Sequence, residues 1–246
     1  MNNRYLIGLD LDGTLLNTLD DINDSLNIAL NENGFECCSL EDTKRYLGHG
    51  VSMLVHRAIS RFEHNDLHEA NVLQSYTREY DERKTNKTNV YFGINELLQY
   101  LKENNIKNAV LSNKNHDDTV EVVNKYFGED CFDIVRGKQK GIPVKPDPTS
   151  LFEILEELRV HHEEVLYVGD SEADMEVANN ANIKKVGCAY GYRDIDTLNI
   201  YNPDYVVNSP LEIIDILKDL NQFVEEEFVI EEEDDGDLSQ ASNEQM

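Results

Sequence analysis

Residues 9–18 read LDLDGTLLNT and place two aspartates, Asp10 and Asp12, directly after the apolar run Tyr5-Leu6-Ile7-Gly8-Leu9. An apolar run followed by Asp-Gly is typical of a buried strand that enters a tight turn, where both residues are favoured for conformational reasons alone. An EF-hand calcium loop is excluded, because its glycine stands at the sixth position and Gly13 stands at the fourth. Open α/β sheets bind ligands at the carboxyl ends of their strands, so the paired carboxylates indicate a catalytic site.

Later apolar runs predict further strands, because each is short, continuous and preceded by an amphipathic segment. The runs are Ala109-Val110-Leu111, Val165-Leu166-Tyr167-Val168, Val186-Gly187-Cys188-Ala189 and Tyr205-Val206-Val207. This alternation is expected of strands buried on both faces of a parallel sheet. We therefore predict a doubly wound, Rossmann-like α/β core with right-handed crossovers.

The segment after the paired acids contains helical patterns and no strand-like run. Thr18 is the predicted N-cap and Gly34 the predicted end of a first helix, and a second helix is predicted over 54–62. We predict an all-helical cap over residues 16–87, inserted into a core formed by 1–15 and 88–224. The charged stretch 82–89 is the expected return hinge.

Charge restricts the partners of the chain. The formal net charge is -27, and ten of the acids lie in residues 225–246, so the rest still carries -17. Such a balance disfavours nucleic acid and anionic membranes as partners. Residues 225–246 have too little apolar surface to fold, so we expect an acidic disordered tail, with docking through Phe228-Val229-Ile230 left open.

Cysteine spacing and hydropathy indicate the compartment. The four cysteines form no C-x-x-C pair, which predicts free thiols in a reducing environment. The N-terminus lacks the apolar run of about 7 to 15 residues that a signal peptide needs, and no stretch of about 18 apolar residues could span a membrane. We expect a cytoplasmic protein.

Further polar residues follow the other predicted strands. Ser112-Asn113-Lys114 ends one strand, Lys145-Pro146 lies in a later loop, and Gly169-Asp170-Ser171-Glu172-Ala173-Asp174 ends another. The carboxyl ends of parallel strands meet at one edge of a sheet, so we expect these groups to converge with Asp10 and Asp12.

These residues resemble the four ordered motifs of the haloacid dehalogenase superfamily: D-x-D-G-T at 10–14, Ser112 with Asn113, Lys145 before Pro146, and G-D-S-x-x-D at 169–174. The helical insertion resembles the small cap of its phosphatase subgroup. Gly48-His49-Gly50-Val51 resembles the cap signature of phosphoglycolate phosphatases, and GCAYGYR at 187–193 is similar to their loop after the fourth motif. Phe92 departs from the subgroup, which commonly has proline there.

The resemblance implies a phosphatase mechanism. Asp10 is the expected nucleophile, forming an aspartyl-phosphate, and Asp12 the general acid and base, a role that requires a raised pKa. Mg²⁺ would be held by Asp10, the backbone carbonyl of Asp12, and Asp170, with Asp174 orienting the ligands. Dehalogenation is disfavoured, because it needs no metal site.

Substrate contacts are expected from Thr14, Ser112, Asn113 and Lys145, which would hold the phosphoryl oxygens or neutralise their charge. His49 either contacts the substrate or only marks a flexible loop. Four further residues also have a purely structural interpretation. Ser112 and Asn113 would form an ordinary turn, Lys145 would be a solvated lysine, and Asp174 would be a helix cap.

The leading hypothesis is a Mg²⁺-dependent phosphatase for a small phosphorylated metabolite, foremost 2-phosphoglycolate. Pyrophosphate and nucleoside monophosphates are alternative substrates, and a phosphomutase is an alternative enzyme. A non-catalytic module that recruits a basic partner through the acidic tail is the alternative from a different class. The sequence leaves the oligomeric state open.

Overall fold

The structure is a computed structural model and describes residues 6–220. Along the chain the elements are β1 (Leu6–Leu9), β2 (Leu16–Asn17), α1 (Leu19–Glu32), α2 (Leu40–Tyr46), α3 (Val51–Ile59), α4 (Asp66–Arg83), β3 (Asn89–Val90), α5 (Ile94–Glu103), β4 (Lys107–Asn115), α6 (His116–Phe127), β5 (Ile134–Lys138), α7 (Thr149–Leu158), a 3₁₀ turn (His162–Glu164), β6 (Val165–Gly169), α8 (Glu172–Ala181), β7 (Lys184–Cys188), α9 (Ile195–Asn199), β8 (Tyr205–Val207) and α10 (210–220). The predicted acidic tail, 225–246, lies outside the described residues.

Six strands form a parallel sheet in the order β5-β4-β1-β6-β7-β8. The central strand β1 is buried along its whole length and pairs with β4 on one side and β6 on the other. Its side chains alternate between the two faces. Ile7 and Leu9 join the apolar core that includes α5 and α6, while Leu6 joins the core under α7 and α8. The predicted doubly wound α/β fold is therefore confirmed.

The edge strand β5 was not among the predicted strands. Its sequence, IVRGK, has only two apolar residues at its start, and Arg136 lies half-buried in ion pairs with Glu153 and Glu157 of α7. Edge strands carry such polar residues more readily than central ones, so the continuous apolar pattern used to find the other strands does not detect this one.

Helices α1 to α4 form the insertion, which we call the cap, and they share an apolar core of their own. The prediction of helices alone is wrong at the margins. Strands β2 and β3 form an antiparallel ribbon in which Leu16 pairs with Val90 and Asn17 with Asn89. The first helix does begin after Thr18, but the Thr18 side chain does not cap it. The second predicted helix ends at Ile59 rather than residue 62.

Buried polar contacts fix the two connections between cap and core. The Asp21 carboxylate of α1 accepts hydrogen bonds from the backbone N–H groups of Lys87 and Thr88, at 2.9 and 2.8 Å, on the returning segment. Lys84, just after α4, is nearly fully buried and pairs with Asp118 of α6 at 2.8 Å. The cap is thus anchored at its base where the chain re-enters the core.

No helix within residues 6–220 is both long and apolar enough to cross a bilayer. Cys37, Cys38, Cys131 and Cys188 are all free thiols.

Candidate active site

The loop after β1 presents Asp10 at the carboxyl edge of the sheet. The Asp10 N–H donates to the Val168 carbonyl at 3.0 Å, which extends the pairing of β1 with β6 by one residue. The chain then turns tightly, because the Leu11 carbonyl accepts the N–H groups of Leu15 and Leu16, each at 3.0 Å. Gly13 adopts φ +88° in this turn, a left-handed conformation that favours glycine.

Asp10 is the buried acid at the centre of the site. Its Oδ1 atom accepts hydrogen bonds from the Leu11 N–H at 2.7 Å and from the Lys145 ammonium at 2.9 Å. Burial and repulsion from Asp174 raise the pKa of Asp10 from 3.8 to about 7, although the attraction of Lys145 opposes the shift. The carboxylate form of Asp10 is therefore costly unless a cation approaches it.

Lys145 connects Asp10 with Asp174. Its Nζ donates to Asp174 Oδ1 at 2.7 Å and to the Leu111 carbonyl at 2.9 Å, in addition to Asp10. Burial alone would lower the pKa of Lys145, but the charges of Asp10 and Asp174 raise it well above its ordinary value, so the side chain stays charged. Lys145 is an ammonium held beneath the site, not a solvated lysine.

Asp174 contacts both the start of α8 and the Lys145 ammonium group. Its Oδ2 accepts the Ser171 N–H at 3.0 Å and the Ser171 hydroxyl at 2.6 Å, closing a capping box at the start of α8. Its Oδ1 faces Lys145. Asp174 is therefore both a helix cap and the residue that orients Lys145.

Asp170 follows β6 and is fully buried. Its Oδ1 accepts the Thr14 hydroxyl at 3.1 Å and its Oδ2 accepts the Tyr192 N–H at 2.7 Å. Burial and the neighbouring carboxylates of Asp174 and Asp10 raise its pKa well above the usual range. Thr14, expected to contact substrate, here positions Asp170 instead.

Two glycines let the chain close around Asp170. A Cβ atom at Gly13 would overlap the Asp170 carboxylate, and one at Gly191 would overlap both the Asp170 Cβ and the Gly13 carbonyl. The carboxylates of Asp10, Asp170 and Asp174 offer oxygens within 4.8 Å of one another. The sheet edge thus gathers three buried acids, as the strand-end motifs predicted.

Asp12 lies closer to the cap than Asp10. The Thr18 hydroxyl donates to its Oδ1 at 2.7 Å, and Lys114 pairs with its Oδ2 at 2.9 Å. Lys114 also donates to the Tyr80 hydroxyl of α4 at 2.7 Å. The structure thus places an ammonium group beside the residue expected to act as general acid and base. Lys114 was given no role from the sequence, although it directly follows Ser112-Asn113.

Ser112 and Asn113 lie at the end of β4, as expected, and both are buried. The Asn113 amide donates to the carbonyls of Gly48 and Lys145, each at 2.9 Å, and its Oδ1 accepts the Lys145 N–H at 2.9 Å. Both amide hydrogens are therefore engaged. Asn113 joins the cap loop to the loop that carries Lys145, and in this arrangement its amide has no hydrogen left for a phosphoryl oxygen.

His49 does not line the cavity, although its neighbours Gly48 and Gly50 do. Its Nδ1 lies 3.4 Å from Arg57 on α3. Burial and the Arg57 charge lower the pKa of His49, which favours the neutral ring. In this arrangement the His49 ring faces Arg57 rather than the cavity.

Arg193, in the loop after β7, fastens the cap to the core. Its guanidinium bonds Glu172 of α8 at 2.7 Å and donates to the carbonyls of Lys44 and Leu47 at the end of α2, each at 2.9 Å. The sequence marked the loop GCAYGYR but gave this arginine no role. No local pattern signals a contact that depends on where the cap lies.

Cap and core enclose a cavity of about 300 Å³. Its core wall includes Asp10, Asp12, Lys114 and Asp170, and its cap wall is mostly apolar or aromatic: Ile22, Leu54, Leu73, Tyr76 and Tyr80. Ligand cavities typically span about 300–1,000 Å³, so this one suits a small ligand with a charged end at the sheet edge.

A family model, similar proteins and a similar crystal structure agree with one another. A family model for haloacid dehalogenase-like hydrolases matches residues 7–188. A phosphoglycolate phosphatase from Haemophilus influenzae is 32% identical over 224 residues, covering 88% of this chain and 100% of that protein. One from Photobacterium profundum is 30% identical over 219 residues, covering 86% and 95%. The crystal structure of a predicted phosphoglycolate phosphatase from Haemophilus somnus superposes with a TM-score of 0.82 at 26% identity, covering 88% and 99%.

Proposed function

This chain belongs to the haloacid dehalogenase-like hydrolase family as a phosphoric monoester hydrolase similar to phosphoglycolate phosphatases, and we propose that it hydrolyses 2-phosphoglycolate, with Mg²⁺ and an aspartyl-phosphate intermediate. The observation that carries this proposal is the buried group of Asp10, Asp170, Asp174 and Lys145, in which Asp10 and Asp170 line a small cavity between cap and core. A non-catalytic module would have no need to bury three acids around one ammonium group.

The residues at the sheet edge fit Mg²⁺. Within residues 6–220, the only salt bridges of Asp10, Asp170 and Asp174 are those to Lys145, so the ionised cluster keeps an excess of negative charge. Hard oxygen donors are the ligands that Mg²⁺ prefers. Asp10, Asp170 and the backbone carbonyl of Asp12 would hold the ion. When bound, it supplies positive charge that offsets the repulsion between the acids and a phosphate.

Asp10 would attack the phosphorus atom with a carboxylate oxygen while the bond from phosphorus to the leaving oxygen breaks. Asp12 would give a proton to that leaving oxygen. In the second step, hydrolysis of the aspartyl-phosphate, Asp12 would take a proton from water. The water oxygen would attack phosphorus, and the bond between phosphorus and the Asp10 oxygen would break. Both aspartates return to their starting state, and inorganic phosphate is released.

Lys145 and Lys114 have different parts in this scheme. Lys145 touches Asp10 directly and would offset the charge of the phosphoryl group. Lys114 pairs with Asp12 in the structure, so this ion pair must loosen when Asp12 gives a proton to the leaving oxygen.

The dimensions and charge of the cavity support a small carboxylated substrate over a nucleotide. Lys138, at the end of β5, lines the cavity and has no ion-pair partner within residues 6–220. It is the free cation best placed to meet the carboxylate of 2-phosphoglycolate, whereas His49 faces Arg57.

A comparison of two substrates tests this assignment. Lys138→Met should lower kcat/KM for 2-phosphoglycolate at least tenfold, as for loss of a hydrogen bond to a charged group of about 1.5–3 kcal/mol, and change it much less for an aryl phosphate. His49→Ala, which lies outside the cavity, is the matched control and should leave the ratio unchanged. Equal losses on both substrates in Lys138→Met would contradict the role of Lys138.

The function itself is tested with a panel of phosphorylated metabolites, including pyrophosphate and nucleoside monophosphates, ranked by kcat/KM in Mg²⁺ and in EDTA. We expect 2-phosphoglycolate to rank first and EDTA to abolish turnover. Conversion of a sugar phosphate to its isomer would instead identify a phosphomutase, and no turnover on any compound would identify a binding module.

We also propose a reducing, cytoplasmic setting, which the four free thiols support.

A further inference from the structure

Two histidines and a glutamate meet on the cap, away from the acidic site. His56 lies in the last turn of α3, His64 in the connection to α4, and Glu69 in the first turn of α4. Glu69 Oε1 is 2.8 Å from His56 Nδ1 and 3.3 Å from His64 Nε2. One ligand atom from each residue lies within 4.8 Å of the other two. We call this group the histidine cluster.

The tautomer of His64 is set by its backbone contact. His64 Nδ1 lies 2.9 Å from the Phe62 carbonyl, which can only accept, so Nδ1 carries the hydrogen. In a neutral ring Nε2 then has a lone pair, and that lone pair faces the Glu69 carboxylate. Nε2 is therefore the ring nitrogen available to a metal ion, and it lies 3.3 Å from Glu69 Oε1. Metal-bound imidazoles are commonly oriented by such a bond from their other nitrogen to a carbonyl.

Glu69 has no stronger cation nearby. Within the described 6–220 range, its only ion-pair partners are the two imidazoles. Two arginines on and just after α3 have other partners: Arg57 donates to the Tyr46 carbonyl, and Arg61 to the carbonyls of Glu36 and Cys37. The cluster therefore offers an anionic oxygen and imidazole nitrogens to a cation from solvent.

We propose that the histidine cluster binds a divalent transition-metal ion, with Zn²⁺ as the fitting member. Two imidazole nitrogens and one carboxylate oxygen match the donor set of Zn²⁺ sites with three protein ligands, and water can complete the coordination because all three side chains are partly exposed. The all-oxygen cluster around Asp10 suits Mg²⁺ instead, so the two sites select different ions.

Zinc at this position would join the end of α3 to the start of α4 across residues 60–65. The opposite end of α3 carries Val51 and Leu54, which line the cavity, whereas none of the three ligands does. Binding would thus stiffen the cap without contacting the reacting groups.

Isothermal titration of the full chain with Zn²⁺, in excess Mg²⁺ to occupy the acidic site, tests the proposal. We expect one equivalent bound by the wild type, at least tenfold weaker binding in His64→Gln and in Glu69→Gln, and no change in His162→Gln, an exposed histidine outside the cluster. Zn²⁺ should also raise the melting temperature of the wild type and not of His64→Gln.

Turnover of an aryl phosphate by each Mg²⁺-loaded variant, measured before zinc is added, verifies that the variants are folded. The proposal is overturned if the wild type binds no zinc under these conditions, if His64→Gln and Glu69→Gln retain wild-type affinity, or if the loss occurs in His162→Gln instead.

Discussion

Asp10→Asn should make the metal-free protein more stable while it abolishes turnover. An amide cannot carry the phosphoryl group, so activity is lost, but the amide also removes an ionised group from a buried cluster of acids. Burial, repulsion from Asp174 and the opposing attraction of Lys145 together place the pKa of Asp10 at about 7. A carboxyl group whose folded pKa is raised contributes stability that is fully present below its unfolded pKa and is lost as pH rises through the folded value.

The size of the effect follows from the shift. Raising the pKa from 3.8 to about 7 spans about 3 units, and at about 1.4 kcal/mol per unit the ionised carboxylate costs about 4 kcal/mol at pH values above 7. At about pH 5.5 the destabilisation by Asp10 is only about 2 kcal/mol, because Asp10 is then mostly protonated in the folded state. The stability advantage of Asp10→Asn should therefore grow by about 2 kcal/mol between about pH 5.5 and about pH 8.

Urea unfolding of wild type and variant in EDTA at both pH values measures this difference. Mg²⁺ should then stabilise the wild type much more than the variant, because binding to the folded state adds stability by mass action. Asp215→Asn, an exposed aspartate on α10, is the matched control and should show no such pH-dependent gap. A variant no more stable than the wild type at about pH 8, or a gap that does not change with pH, would refute the electrostatic account of Asp10.

Three further outcomes are expected. Lys145→Met leaves Asp10 and Asp174 buried without their ammonium, so urea unfolding in EDTA should show a loss of about 3–5 kcal/mol, and a loss under about 1 kcal/mol would contradict the pairing. Arg193→Met removes the bonds to α2 and should lower kcat/KM about tenfold with unchanged Mg²⁺ affinity; a weaker affinity would place its effect in the core instead. Removal of residues 225–246 should leave kcat/KM within about threefold, and a hundredfold loss would show contact between tail and core.

The features predicted best from the sequence are those that follow from the geometry of a parallel sheet. Asp10, Lys145 and Asp170 converge as expected, because the carboxyl ends of parallel strands share one edge and each motif directly follows a strand or lies in a loop above one. The buried strands were found for the same reason, since burial on both faces leaves a continuous apolar run. Strand β5 was not predicted, because Arg136 and Gly137 interrupt the apolar run.

What the sequence could not supply depends on the position of the cap. Lys114 and Arg193 contact the cap through Tyr80, Lys44 and Leu47, which are distant along the chain and close only in the fold. The direction of the His49 side chain was also not predictable. Gly48 and Gly50 adopt φ +110° and +80°, and glycine permits many backbone angles, so its presence does not specify which way the loop turns.

The loop at 190–193 has a practical consequence for protein engineering. The Tyr190 hydroxyl donates to the Thr14 carbonyl, the Tyr192 backbone contacts Asp170, the Tyr192 hydroxyl accepts from the Thr18 N–H, and Arg193 reaches α2. This short segment therefore contacts the acidic site and the cap at the same time. A chimera that receives the cap of a relative should take up that relative's version of this loop as well, since the two surfaces form a matched pair.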